Sequence, residues 1–181
     1  MTASNLSSQQ VAALTAFDAA RDAFLAAFAD VPDAALAYVP AGDEYAVGTL
    51  LPHLCDPINR YLDVLGLARN AGFGLVDLAA DPMRAEREAQ RHAQLAATRP
   101  TGADRARLLA DLAFAHEQAH GAVAALDGAT FLRQAPVIYS AGSEPSPTSC
   151  QDIMGWLTDH YDEHTTQVGT MLAGWRASAG G

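Results

Sequence analysis

Apolar side chains along this chain return every three or four positions, not every second one, and that period predicts helices. Residues 7–31 carry Val11, Leu14, Phe17, Phe24, Leu25 and Phe28 on such a period, with Pro32 just past the end. In 47–72, Leu51, Leu54, Ile58, Leu62 and Leu65 form one stripe, and Leu50, Tyr61, Val64 and Ala68 form a second. The polar arc of that segment holds Asp56, Asn59, Arg60 and Asp63, with His53 on its border. Pro57 stands inside it and predicts a kink, because it removes the hydrogen bond to the His53 carbonyl. A charged stretch, 83–99, ends before Pro100 and reads as a solvated crossover helix. In 102–128 the seam is Leu109, Leu112, His116, Ala119, Val123 and Leu126, with Gly128 expected as the C-terminal cap. Residues 129–147 are rich in Pro, Gly and Ser, with "PVIYS" as a short extended piece. The last helix opens at "PTSCQD", where Thr148 and Gln151 read as a capping box, and runs to about Trp175.

Four long apolar-faced helices and one charged piece predict an all-α fold, a four-helix bundle with a long crossover between helices two and three. The 181 residues are expected to form a single domain, 1–181. Abundant Ala supports helix, and half the residues are hydrophobic, enough for a packed core.

Composition then removes whole classes of function. All 11 basic residues are Arg, so lysine Schiff-base chemistry and a Walker-type phosphate loop are excluded. A net charge of −10 argues against nucleic-acid binding. No apolar run reaches membrane-spanning length, and "MTASNLSSQQ" lacks the basic and apolar regions of a signal peptide. Cys55 and Cys150 make no C-x-x-C pair or disulfide framework, so a cytoplasmic location is expected.

The histidines carry the candidate chemistry. In the last helix His160 and His164 share the inward seam of Ile153, Leu157, Val168 and Met171. Imidazoles four residues apart lie one turn apart on one face and can reach a single metal ion. Core histidines bonded to backbone or acids are the structural alternative. Six His placed at random would give roughly 0.2 such pairs, and this chain has two. The second is "HEQAH", His116, Glu117 and His120, which matches the zinc-protease helix pattern. Its metzincin extension fails, since Val123 and Leu126 stand where Gly and His are needed, and no downstream helix offers a third Glu ligand. His116 on the core seam is a candidate supporting residue for the metal site, His120 is expected at the edge, and His92 in solvent.

The stretch "DEYAVGTLLPHLCD" resembles the opening of helix two in the DinB/YfiT-like superfamily, an aromatic residue followed eight positions later by His-Leu. Tyr45 takes the aromatic place, usually Trp, and His53 with Leu54 completes the pattern. "LTDHYDEHTTQV" is similar to the helix-four pattern His-x-x-x-His-x-x-Gln, on His160, His164 and Gln167. Ala46 replaces the usual Ser, which moves the expected helix-two cap to Gly48 or Thr49, and Pro52 and Pro57 bracket His53. The resemblance implies a four-helix bundle, commonly a homodimer, in which His53, His160 and His164 bind a divalent metal ion such as zinc or nickel. Some members of that superfamily are metal-dependent transferases using a low-molecular-weight thiol on a small-molecule substrate, a related branch includes mycothiol-dependent isomerases, and many have no assigned reaction, so the resemblance implies the site more firmly than the chemistry.

Three imidazoles leave metal positions open for substrate, which is the pattern of a catalytic site. Thiolate attack on an electrophilic carbon would make the protein an S-transferase; attack by hydroxide would make it a hydrolase. A non-catalytic metal-binding or stress-response protein is the other reading. Asp56, Asp159 and Glu163 are candidate acids or bases, against a default role as exposed helix charges. Tyr61 and Tyr161 are candidate hydrogen-bond donors, against amphipathic packing. Cys55 is expected to point away from His53, and Cys150 lies too far from His160 to share an ion.

Overall fold

The computed structural model describes residues 6–179; the first five residues, included in the signal-peptide reading, and the two terminal glycines lie outside the described residues. The described chain is mostly helical. The long helices are α1 (Ser8–Ala29), α2 (Leu50–Asn70), α4 (Arg105–Ala124) and α6 (Cys150–Ala179). The charged α3 (Pro82–Ala97) lies in the connection from α2 to α4, and α5 (Gly128–Leu132) follows α4. α1 lies along α6, α2 packs on α4 and α6, and α1 also touches α4. One core fills the space between them, with Phe17, Phe24, Phe28, Leu51, Leu54, Ile58, Leu112, Met154 and Tyr161 almost wholly buried.

The inward seam of α1 holds Gln10 in place of the expected Val11, which is 49% exposed. A buried amide needs partners, and Gln10 has them at two helix ends. Its Oε1 accepts from the Ser7 N–H (2.9 Å), while the Ser7 hydroxyl accepts from the Gln10 N–H (3.3 Å), a capping box for α1. Its Nε2 donates to the carbonyls of Val123 (2.9 Å) and Leu126 (3.0 Å), satisfying the last turn of α4. Gly128 does not cap α4. It is the first residue of α5, behind Asp127, and a Cβ there would lie 2.9 Å from Ser7 Cβ. Close approach of the Ser7 side chain to the Gly128 backbone therefore explains this glycine. The inward seam of α4 starts at Leu108, with Leu109 half-buried.

One further cap differs from the sequence reading. The box opening α6 is formed by Ser149 and Asp152, one residue beyond Thr148 and Gln151. Thr148 is instead the last residue of strand β3 (Ser146–Thr148). The cap of α2 is Thr49, one of the two positions expected; the chain enters through a 3-10 turn, Val47–Thr49, flanked by Ala46, and neither Ala46 nor Thr49 makes a side-chain cap. The Thr49 hydroxyl donates to the Thr98 carbonyl (3.1 Å), tying the start of α2 to the end of α3. Gly48 meets the same junction: a Cβ would stand 3.0 Å from Pro100 Cβ and 3.1 Å from the Leu36 oxygen.

A small sheet joins the helices. β1 (Val76–Asp77) pairs parallel with β2 (Ala135–Ile138), which pairs antiparallel with β3. The extended piece at "PVIYS" is thus present. The sheet covers a second apolar cluster of Val64, Ala68, Val76, Leu78, Ala135 and Val137; from the second stripe of α2, Val64 and Ala68 serve this cluster while Leu50 and Tyr61 join the main core.

Candidate metal centre

His53 lies in the first turns of α2, and His160 and His164 lie one turn apart on α6. Packing of α2 against α6 brings the three rings together. Ring centroids are 5.1 Å apart for His53 and His160, 4.7 Å for His53 and His164, and 4.4 Å for His160 and His164. One nitrogen from each ring falls within 4.8 Å of the others, so the cluster could hold a metal ion. Pro57 cannot donate to the His53 carbonyl, yet α2 continues to Asn70.

The hydrogen-bond account of the cluster is incomplete in a specific way. Among the described residues, His160 Nε2 and His164 Nε2 are buried side-chain nitrogens with no hydrogen-bond partner. A buried polar atom left bare is costly. The other nitrogen of His164 is engaged: Nδ1–H donates to Gln167 Oε1 (2.6 Å), and Gln167 Nε2 donates to Asp43 Oδ1 (3.1 Å). This fixes the tautomer, leaving a lone pair on Nε2. Burial above all, then the positive charge that His164 and His160 would carry, pushes the pKa of His53 down to about 3. Burial and His164 push that of His160 down to about 4. Both rings are neutral at neutral pH, the form that ligates a metal.

The cluster opens to solvent. A cleft of about 380 Å³ is lined by His53, His160, Asp56, Arg60, Glu88 and His92, and an adjoining one of about 540 Å³ by His164, Glu163, Tyr45 and Glu44. His92 is half-exposed, as expected for α3, but it is not free: Nδ1 lies 2.8 Å from Tyr45 Oη and Nε2 lies 2.6 Å from Glu44 Oε1. Glu44 accepts the Nε2 hydrogen, so Nδ1 accepts from the tyrosine hydroxyl. The Tyr45 ring packs against His53 at a tilt of 32°, with centroids 4.6 Å apart. Burial, then the charges of Glu44 and Asp56, raises the Tyr45 pKa and keeps its hydroxyl protonated.

The remaining candidates divide. Asp56 and Glu163 face the clefts; Asp56 pairs with Arg91 (2.7 Å), and Glu163 Oε2 stands 3.9 Å from His160 Nδ1. Asp159 lines a separate groove between α1 and α6. Tyr61 packs on Trp156 (5.5 Å) away from the histidines. Tyr161 is buried on the other side of α6, with its hydroxyl 3.5 Å from His116 Nδ1. Cys55 donates to the Leu51 carbonyl (3.4 Å), and burial pushes both thiols up to about 12, so neither is a nucleophile. His116 does not support the three-histidine cluster. It and His120 bond to Asp18 of α1 instead.

A model of the DinB superfamily matches residues 16–168, which is most of the 181-residue chain. The chain belongs to the DinB superfamily. No curated protein and no solved structure matches it. The DinB match spans from α1 to α6 and contains His53, His160 and His164. Asp43, Glu44 and His92 escaped the sequence reading. For the first two the available signal was adjacency to Tyr45; for His92 there was none, because α3 shows only a solvated pattern. Among the described residues no helix is long and apolar enough to cross a membrane.

Proposed function

We propose that the protein is a divalent-metal-dependent S-transferase, with His53, His160 and His164 as the metal ligands and a low-molecular-weight thiol as one substrate. The observation that supports this most directly is the pair of buried, unpartnered Nε2 atoms on His160 and His164, facing His53 across the helix junction. A bound ion fits them chemically, since imidazole nitrogen is a preferred donor for zinc and nickel. When bound, the ion supplies a Lewis acid that lowers the pKa of a thiol or water. The protein groups then have separate tasks. Asp43 and Gln167 hold His164 in its ligating tautomer. His92, fixed by Glu44, stands at the junction of the two clefts and takes the thiol proton at Nδ1, which the Tyr45 hydroxyl vacates by rotating. Arg60 on the cleft wall favours an anionic substrate group.

The open clefts favour turnover over simple metal storage. The test is elemental analysis of the purified protein followed by a thiol-consumption assay with mycothiol, bacillithiol or glutathione and a panel of electrophiles. One ion is expected at this cluster, lost in His160→Ala, together with metal-dependent loss of free thiol. Retention of that ion in His160→Ala overturns the ligand assignment. Metal-dependent product formation with no thiol consumed identifies a hydrolase instead, and metal without any turnover a binding protein.

A further inference from the structure

The "HEQAH" turn of α4 meets a partner that the sequence does not reveal. His116 Nε2 and His120 Nε2 each lie 2.8 Å from one atom, Asp18 Oδ1 of α1. All three donor atoms fall within 4.8 Å of one another. We propose that Asp18, His116 and His120 form a second divalent-metal site, built from two imidazoles of α4 and a carboxylate of α1, for a borderline ion such as zinc or ferrous iron.

Several observations carry this. The donor set is two imidazoles and one carboxylate, which suits such ions and leaves coordination positions open. The two contacts to the carboxylate are near those of a loaded site. Donors about 2.1 Å from an ion stand about 3.0 Å apart at right angles and about 3.4 Å apart in a tetrahedron. The present 2.8 Å contacts therefore need to widen by only a few tenths of an ångström. The rings are held in place: Phe17 stacks on His116 with centroids 4.0 Å apart and planes 11° apart. His116 also has an acceptor for its other nitrogen, the Tyr161 hydroxyl 3.5 Å from Nδ1. On loading, each imidazole hydrogen moves from Nε2 to Nδ1, so both rings stay neutral and release no proton. His116 is buried, whereas His120 and Asp18 are 33% and 39% exposed, which gives an ion a route from the α1–α4 edge. Arg21 stands 3.7 Å from Asp18 Oδ1 but pairs more closely with Asp22 (2.7 Å), so it competes only weakly for the carboxylate.

This site is independent of the three-histidine cluster, and the test keeps the two apart. The full-length protein is stripped with chelator and titrated with Zn²⁺, and in parallel with Co²⁺, whose visible absorption reports nitrogen and oxygen ligation. The wild type should take about two equivalents, and His120→Ala and His160→Ala about one each. His120→Ala should lose one cobalt spectrum and His160→Ala the other. Circular dichroism checks each fold, and if His120→Ala is unfolded, the isosteric Asp18→Asn is read in its place, with the same single equivalent expected. If the wild type takes one equivalent that His120→Ala or Asp18→Asn retains in full, the second site is disproved, whatever His160→Ala does. If His160→Ala changes nothing while His120→Ala loses an ion, the second site stands and the first does not.

Discussion

Gln167 shows how one side chain outside the histidine cluster sets the tautomer within it. By accepting the His164 Nδ1 hydrogen it dictates which nitrogen faces His53 and His160. Gln167→Ala should weaken Zn²⁺ binding at this cluster about 10- to 100-fold with little change in fold, measured by competition with a chromophoric chelator. Unchanged affinity would mean that the tautomer is set by something else. The low pKa values of His53 and His160 make a second prediction. An unfolded imidazole takes its proton near pH 6.5, whereas these rings resist it until about pH 3–4. Between those limits the unfolded chain binds more protons, so stability rises with pH. His116, also lowered by burial, adds in the same direction. Metal-free protein should therefore lose Tm steadily from pH 7 to pH 5, and His160→Gln should flatten the profile; a flat wild-type profile contradicts the assignment. At this scale the His160–His164 pair was legible from its spacing on one helix face, whereas His53, on the border of the polar arc of α2, joined it only through the family resemblance at Tyr45 and Leu54. Asp18 was not: a single acid in α1, next to Phe17, gives no sign that two imidazoles from another helix will meet it.

At the scale of the element, periodicity located every long helix but not its ends. The ends depend on caps, and caps depend on neighbours that a linear reading does not see. Thr148 lost its capping role because the strand pairing of β2 and β3 claimed it, and Ser149 took over. Gln10 is the opposite case, one residue finishing two helices. Gln10→Ala strands the Ser7 N–H, the Val123 carbonyl in the last turn of α4 and the Leu126 carbonyl just beyond it, and should cost about 2–4 kcal/mol. In a chain of this size that is a Tm drop on the order of 5–10 °C by calorimetry. A drop under about 2 °C would show that water replaces the amide at both ends. The short strands were the least legible elements. Two to four residues carry no usable period, and β1 is defined only by its pairing with β2, far along the chain.

Across the whole molecule, the metal-centre cleft is assembled where the first connection, the start of α2 and the end of α3 meet, and Gly48 sits in that junction. Gly48→Ala pushes a methyl against Pro100 and the Leu36 carbonyl and should cost about 1–3 kcal/mol. Because Tyr45 enters from the same junction, the variant should also slow thiol consumption; wild-type Tm and rate together would show that the junction yields freely. The long helices bury the core and fix the histidines, whereas α3, which walls the cleft with Glu88, His92 and Leu95, has no fully buried side chain among the described residues. Its contacts with the main core are the half-buried Leu95 and Ala96, so most of its sequence is free of the core. Descendants of this chain can exchange the exposed part of that wall, and with it the shape and charge of the cleft, through surface mutations that leave the helical frame and its three-histidine face untouched.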